Sequence, residues 1–385
     1  MPGHALHPSA IVGVVGGGQL ARMTAQAAGP LGIELRVLAG EGDEGAAPVA
    51  PTERGDITDA DVLLRFASGC DVLTFDHELV PLDVVRRLEG EGVVVRPGST
   101  ALELSDKGRL RRRLADRFPL PPHDVVTDAS GAIAFGERHG WPVVVKAVRG
   151  GYDGRGVNVA DGPERATVLM DALAPGVAAV VEPLLDLDFE LAVVVVRSPS
   201  ATATYPVVRT TQVEGICHEV AFPAGVAGHV AEEAVRLATG VADAADAFGA
   251  FAVELFVAGG RVLLNEVAPR THNSGHWTID GTACSQFENH LRAVLDWPLG
   301  PTEAIVPAAG MVNLITGSDG DDPRDLVPAG LAAGDARIHL YDKTPRRGRK
   351  VGHVTAVAAD VPAAVSRARA VAAAMGSIAA PGDGP

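Results

Sequence analysis

Two carboxylates lie inside apolar runs of the kind that build sheet interiors: Glu254 in FAVELFV (251–257) and Glu266 in LLNEVAPRTHNSGHWT (263–278). Between the runs, Ala258, Gly259 and Gly260 read as a tight turn. A turn centred near Gly260 sets the two glutamates opposite each other on one face of an antiparallel pair. Like charges facing across a sheet repel and lose hydration. A divalent cation relieves both costs. Hard oxygen donors with few competing ligands suit Mg2+ on nucleotide phosphates, because that ion keeps waters and takes only one or two protein carboxylates. The plain alternative is a solvated hairpin carrying two ordinary glutamates. The residues after Glu266 weigh against it: Pro269 ends the strand, and Arg270, His272, Asn273 and His276 crowd a segment whose one further large apolar residue is Trp277. Loops at strand ends are where binding groups gather.

Three other stretches carry chemistry. In WPVVVKAVRGGYDGRGVNV (141–159), Lys146 stands within a buried apolar strand, and a lysine there needs an anionic partner to keep its charge. A nucleotide phosphate is one candidate and a core acid the other. The tip of this hairpin, RGGYDGRG with Gly150, Gly151, Gly154 and Gly156, is too glycine-rich and charged for a core, and can fold over a ligand as lids do. The strand AAVVEPLL (178–185) offers an extended edge whose main chain could meet a purine near Glu182, with Glu190 placed for a ribose hydroxyl. Lys343, Arg346, Arg347, Arg349, Lys350 and His353 then crowd one loop of an acidic chain. That cationic site suits a phosphomonoester or carboxylate better than nucleic acid, since aromatic interleaving is absent.

At the amino end, Gly16, Gly18 and Ala21 satisfy the dinucleotide fingerprint spacing, and Glu41 follows as a ribose-binding acid would. An NAD-dependent oxidoreductase is the rival reading. A glycine turn before a helix is, however, a general anion site. Asp76 and Glu78 alternate after the strand CDVLTF (70–75), where open α/β sheets bind ligands. In the helix expected from Asp106 to Arg117, the five arginines Arg109, Arg111, Arg112, Arg113 and Arg117 read mostly as a solvated face.

These groups need elements to hold them. The first hundred residues alternate strand and helix: AIVGVVG, Gln19–Ala28, IELRVL, Asp59–Ala67, CDVLTF, Leu82–Leu88 and a fourth strand GVVVRP (92–97). Such alternation predicts a parallel sheet covered by helices. Pro119, Pro121 and Pro122 mark a linker, after which the pattern restarts as a smaller α+β unit. A third unit opens with strands LAVVVV and ATYPVV, passes the polar stretch RTTQVEGICHEV, and has a long helix between Ala227 and Phe248 and another from Gln286 to Leu295. The expected domains span residues 1–118, 119–185 and 186–385. A chain of 385 residues with 47% apolar content is long enough for three cores. No run approaches the length of a membrane span. The net charge of −15 opposes binding to nucleic acid or anionic membrane. Three scattered cysteines argue against a disulfide framework and for a reducing cytoplasm.

Together GGGQLARM, VVKAVRGGYDGRG, NEVAPRTHNSGHWT and YDKTPRRGRKVGH resemble the N5-carboxyaminoimidazole ribonucleotide synthetases, ATP-grasp enzymes of bacterial purine synthesis. The resemblance covers nearly the whole chain, with the motifs in family order. It implies an ATP-grasp fold, α/β and α+β, behind an amino-terminal Rossmann-like parallel-sheet domain. It also implies a homodimer that couples ATP, bicarbonate and 5-aminoimidazole ribonucleotide to the N5-carbamate, ADP and phosphate through carboxyphosphate. Position by position, the resemblance implies that Lys107 and Lys146 hold ATP phosphates under a lid of Gly151, Tyr152, Asp153, Gly154 and Gly156. Glu182, Pro183, Leu184 and Leu185 meet adenine, Glu190 meets the ribose, and Glu254 and Glu266 beside Asn265 hold magnesium. Asp153, Arg270, His272 and Asn273 surround the aminoimidazole. Gln19, Leu20, Lys343, Arg349 and Lys350 anchor the ribotide phosphate, while Tyr152, Arg155 and Glu78 meet bicarbonate. The chain departs from the family in having Asp76-His77-Glu78-Leu79 where Glu-Phe-Glu-Asn is usual, and Gln212 where a nucleotide-contacting histidine or asparagine often stands. A sibling ATP-grasp ligase, of the formate-dependent glycinamide ribonucleotide transformylase or biotin carboxylase type, is the alternative within the class. An inactive binding homologue is disfavoured by the presence of both candidate magnesium carboxylates and Asp153.

Overall fold

A computed structural model describes residues 10–43, 45–149 and 156–378. Among the described residues, three sheets organise the chain. The amino-terminal sheet is wholly parallel, in the order Thr52–Arg54, Glu34–Ala39, Ile11–Val15, Val72–Phe75. Its central strands are almost fully buried because helices cover both faces, as parallel sheets require. The helices Gln19–Ala28, Ala60–Ala67 and Leu82–Gly90 follow the expected positions, Asp59 capping the second through the Asp61 and Val62 amides.

The expected fourth strand, GVVVRP, is not one. Only Val95 bridges to Leu73, flanked by Leu73 N–H to Val94 O and Arg96 N–H to Leu73 O. Pro97 has no amide to carry the ladder further. Its place as the fourth strand is taken at the opposite edge by Thr52–Arg54.

A four-stranded antiparallel sheet follows, ordered Asp124–Val126, Ala179–Pro183, Val143–Ala147, Val157–Ala160. Helices Ala129–His139 and Pro163–Asp171 pack over it. Ala179–Pro183 is thus an interior strand, where the sequence read an edge. Only Glu182 and Pro183 run past the end of the short neighbouring strand.

The third sheet is built on Phe189–Arg197, whose central residues are buried on both faces. From one edge it runs Arg261–Ala268, Gly249–Ala258, Phe189–Arg197, Val208–Val213, Ile216–Phe222, Ala308–Ile315, Lys350–Ala358, Arg337–Leu340. ATYPVV does not form one strand: Thr202–Thr204 pairs back on Phe189–Arg197, and a new strand begins at Val208. The polar stretch after it is a hairpin, turned at Glu214 and Gly215 with both φ angles positive. Helix Gly228–Ala244 covers one face, its buried residues joining the largest apolar cluster with Phe251, Val253 and Leu255. Helix Gln286–Val294 bridges to the amino-terminal sheet by way of Leu291 and Val294. The linker is tied down as well, Leu264 N–H donating to Pro119 O at 2.8 Å.

Candidate active site

The hairpin forms as the sequence implied, but by a different route. Gly259 and Gly260 both adopt positive φ, 54° and 73°, so the turn is a two-residue one with Ala258 opposite Arg261. Regular pairing from that turn would place Glu254 against Asn265. A β-bulge between Glu254 and Leu255 absorbs Asn265 as the extra residue, and Glu254 pairs with Glu266 instead. Phe256 lies two residues along, and on the neighbouring strand Glu190 stands opposite Phe256. One sheet face therefore presents Glu190, Glu254 and Glu266 together.

Basic side chains from other elements meet this face. Asp106 caps helix Lys107–Leu114 by accepting from the Arg109 amide. That helix is shorter than the expected 106–117. From its first residue, Lys107 Nζ reaches Glu266 Oε2 at 2.6 Å. Lys146 Nζ, on the interior strand Val143–Ala147, lies 2.6 Å from Glu182 Oε2, donates to Asn265 Oδ1 at 3.1 Å, and stands 5.2 Å from the centre of the Phe256 ring. The core acid is thus the partner Lys146 takes here.

Arg111, read from sequence as part of a solvated face, is fully buried. Its Nε donates to Glu182 Oε1 at 2.9 Å and its Nη1 to the Asn265 carbonyl at 2.9 Å. The signal was present in the helical period, which puts positions 107 and 111 one turn apart on the same face.

The ionisation pattern follows from this geometry. Burial, reinforced by Glu266 and Glu190, pushes the Glu254 carboxyl up to about 8. Burial likewise lifts Glu190 to about 7, against the pull of Lys146. Burial also opposes ionisation of Glu266 and Glu182, but is outweighed by Lys107 in the first and by Lys146 and Arg111 in the second, so both fall below the ordinary carboxylate range. Arg111, Lys107 and Lys146 consequently face two firmly ionised carboxylates and two that resist ionising. Such a trough attracts polyanions.

The loop after the hairpin closes the other side. Arg270 Nε pairs with Glu78 Oε1 at 2.9 Å, joining residues far apart in sequence. His272 Nε2 lies 3.2 Å from Glu254 Oε1. Gln286, not anticipated, holds that histidine by its main chain, accepting from the amide at 3.0 Å and donating to the carbonyl at 2.7 Å. The Asn273 amide exchanges two 2.8 Å hydrogen bonds with Asn313, also not anticipated. Farther along, Lys343 Nζ donates to Gln19 Oε1. Lys350 is buried and close enough to lower the pKa of Glu254. Arg349 turns to the Thr344 carbonyl at 2.8 Å.

Several expected residues are placed differently. The Leu20 side chain is core, packed with Met23, Phe287 and Tyr341, leaving only its main chain for a ligand. The Glu182 side chain is consumed by Arg111 and Lys146. Leu184 is half exposed and its amide donates to Pro142 O. Gln212 follows a bulge, two positions beyond Thr210, which pairs with Glu190. Gly156 carries φ of 76° and accepts the Ala147 amide through its carbonyl. Gly150, Gly151, Tyr152, Asp153, Gly154 and Arg155 lie outside the described residues.

The amino-terminal glycine turn is filled from within. Asp76 accepts from the amides of Gly18 at 3.0 Å and Ala21 at 2.6 Å, and Asp43 from those of Gly17 at 3.0 Å and Gly40 at 2.8 Å. A dinucleotide pyrophosphate would need these same donors.

Family models match along the chain in order: a ribonucleotide synthetase preATP-grasp domain over 9–106, an ATP-grasp domain over 113–287, and a phosphoribosylaminoimidazole carboxylase C-terminal domain over 309–367. The chain is 46% identical over 370 residues to N5-carboxyaminoimidazole ribonucleotide synthase of Mycobacterium bovis, covering 93% of this chain and 86% of that one. The chain belongs to the N5-carboxyaminoimidazole ribonucleotide synthase family. Solved structures of this family agree. The Aspergillus clavatus synthase complexed with ATP matches at a TM-score of 0.89 and 30% identity, covering 96% of this chain and 98% of that one. The same fungal enzyme with ADP and 5-aminoimidazole ribonucleotide matches at 0.88 and 30%, covering 96% and 99%. The synthase family has the ATP-grasp fold behind a pre-ATP-grasp domain, as the motifs implied. The oxidoreductase and sibling-ligase alternatives are set aside.

Proposed function

We propose that the trough between the lysine strand and the carboxylate hairpin is where this enzyme holds ATP. The protein is an ATP-dependent ligase that carboxylates 5-aminoimidazole ribonucleotide with bicarbonate, releasing ADP and phosphate, in purine biosynthesis. The observation that carries the site assignment is the Glu254–Glu266 pair, brought into register by a bulge and faced by Lys107 and Lys146.

Magnesium fits the donors present. Two carboxylate groups side by side, one already drawing a lysine and the other resisting ionisation, form a hard-oxygen pair that a cation would relieve. Among the described residues no group of three or more His, Cys, Asp or Glu side chains is arranged to hold a metal ion by itself, so phosphate oxygens and water would complete the shell. Glu254 and Glu266, with Asn265 beside them, would hold the ion, and it would supply charge neutralisation on the phosphate oxygens.

The rest of the chemistry falls to the chain itself. Bicarbonate is a poor electrophile, so its oxygen first takes the γ-phosphoryl group, giving carboxyphosphate and ADP. Lys146 and Lys107 stabilise the charge carried across that transfer. Arg270, held by Glu78, and His272 orient the carboxylating species beside the ribotide, whose phosphate rests on Gln19, Lys343 and Lys350. The exocyclic amine then attacks the carboxyl carbon, the bond to phosphate breaks, and Asp153 takes the amine proton. The glycine-rich lid keeps water from hydrolysing the intermediate. No helix of the described residues is long and apolar enough to cross a membrane. Three free thiols agree with work in a reducing cytoplasm, and the homodimer of the family is carried over as a proposal.

The test is phosphate release from ATP. It should require aminoimidazole ribotide and bicarbonate together; release that is indifferent to bicarbonate, or that formate stimulates instead, removes the reading.

A further inference from the structure

Glu182 is buried with both oxygens engaged on different cations: Oε1 takes Arg111, and Oε2 takes Lys146 at 2.6 Å. The two cations are not equivalent. Lys146 is the side chain that the proposed function assigns to the nucleotide phosphates, yet here it is held on a carboxylate. Moving it toward a phosphate takes a cation away from a buried anion, and an anion left alone in that setting is strongly disfavoured. Arg111 changes this balance. Its guanidinium never deprotonates, is fully buried, and is fixed at a second point by the Asn265 carbonyl at 2.9 Å.

We propose that Arg111 is a positioning residue that keeps Glu182 partnered when Lys146 leaves it, and so frees Lys146 to bind the nucleotide. The same guanidinium grips the bulge residue Asn265, which also accepts from Lys146. Departure of the lysine therefore leaves the metal hairpin anchored to the strand Ala179–Pro183. Lys146 swings between a carboxylate and a phosphate, while Arg111 stays in place. The inference rests on the reading of Lys146 as a phosphate ligand.

The experiment is calorimetric titration of the full-length protein with Mg-ADP. Arg111→Met leaves Lys146 as the one cation on Glu182, and affinity should fall by about 30-fold. Adding Glu182→Gln to that variant removes the competing anion, and affinity should recover to within about fivefold of the parent, since a neutral amide holds a lysine weakly. A purely structural arginine predicts the opposite, because a second buried change would leave the double variant no better than Arg111→Met. Arg111→Lys keeps a charge for Glu182 but gives up the planar fork and the Asn265 carbonyl, so affinity should fall by only about fivefold; it carries the test should the methionine variant not fold. A loss as large as 30-fold in Arg111→Lys, or no rescue by Glu182→Gln, overturns the proposal. Lys146→Met separates the two levels. Unchanged Mg-ADP affinity there removes the phosphate-ligand reading itself, whereas lowered affinity without the rescue removes only the role of Arg111.

Discussion

Two of the places in this chain that carry the marks of a phosphate site, the glycine turn and the carboxylate hairpin, are built in opposite senses. At the glycine turn, the free amides of a helix start are supplied with anions by the chain itself, from Asp76 and Asp43. At the carboxylate hairpin, Arg111, Lys107 and Lys146 converge on too few firmly ionised acids, because burial and mutual repulsion make Glu190 and Glu254 resist ionising. A cluster of anion donors is open to a ligand only where the protein has not already answered it. The first region is a solved electrostatic problem and the second an unsolved one.

The contrast can be broken most forcefully at the hairpin. Glu266→Gln removes the acid that stays ionised, and kcat/KM for Mg-ATP should fall by about 100-fold or more in a phosphate-release assay. A fall of less than fivefold would mean that the register of the two glutamates has no catalytic meaning. At the glycine turn the expectation is reversed. Asp76→Ala strips two charge-assisted bonds from the helix start and should cost about 3 kcal/mol of folding stability, read by urea denaturation. The affinity for Mg-ADP should stay within about twofold, and NAD should give no thermal shift; a nucleotide effect as large as that of Glu266→Gln would merge the two regions.

The smallest effect lies with Asp43. Burial disfavours its charge, but His77, whose Nε2 lies 3.7 Å from Asp43 Oδ1, and the Gly17 amide prevail and hold it down to about 2. A depressed carboxyl stabilises the fold above its unfolded pKa of about 4 and loses that contribution as pH falls through the folded value, here about 2 kcal/mol between about pH 4 and pH 2. Burial also opposes the charged His77, yet Asp43 and Asp76 raise its pKa, so the histidine's share of the pair is present in acid and lost as pH rises through that value. Asp43→Asn should flatten the acid limb of the stability profile. A profile parallel to that of the parent would show that the turn does not depend on its internal anion.

Much of this was legible because local patterns and global fold agree. The parallel sheet followed from strand–helix alternation, and the helices Gln19–Ala28 and Gln286–Val294 lie within a residue of the bounds expected from sequence. The pairing of Glu254 with Glu266 was legible in outcome and hidden in cause: composition located the turn, but no propensity marks Asn265 as a bulge. The run GVVVRP misled because an apolar stretch reads as a strand whether or not its neighbour's ladder reaches it. Arg111 was hidden for a different reason. Four arginines in helix Lys107–Leu114 look alike one by one; the helical period sets Arg111 on the Lys107 face, but the tertiary position of Glu182 is what shows that this face is buried. Asp76 and its neighbours read as ligand groups, since a sequence does not reveal that an acid will turn back onto a helix start.

The extra residue in the carboxylate strand has an evolutionary side. A hairpin one residue shorter would set the two glutamates opposite each other with no bulge at all, but it would give up Asn265, whose carbonyl takes Arg111 and whose side chain takes Lys146. A hairpin one residue longer, with the bulge kept, would send Glu266 through the sheet into the apolar core, because side chains alternate strictly along a strand. The hairpin should therefore tolerate substitution better than any change of length. A lineage that dropped one codon there would loosen the grip on its lysine, and one that gained a codon would part its two acids.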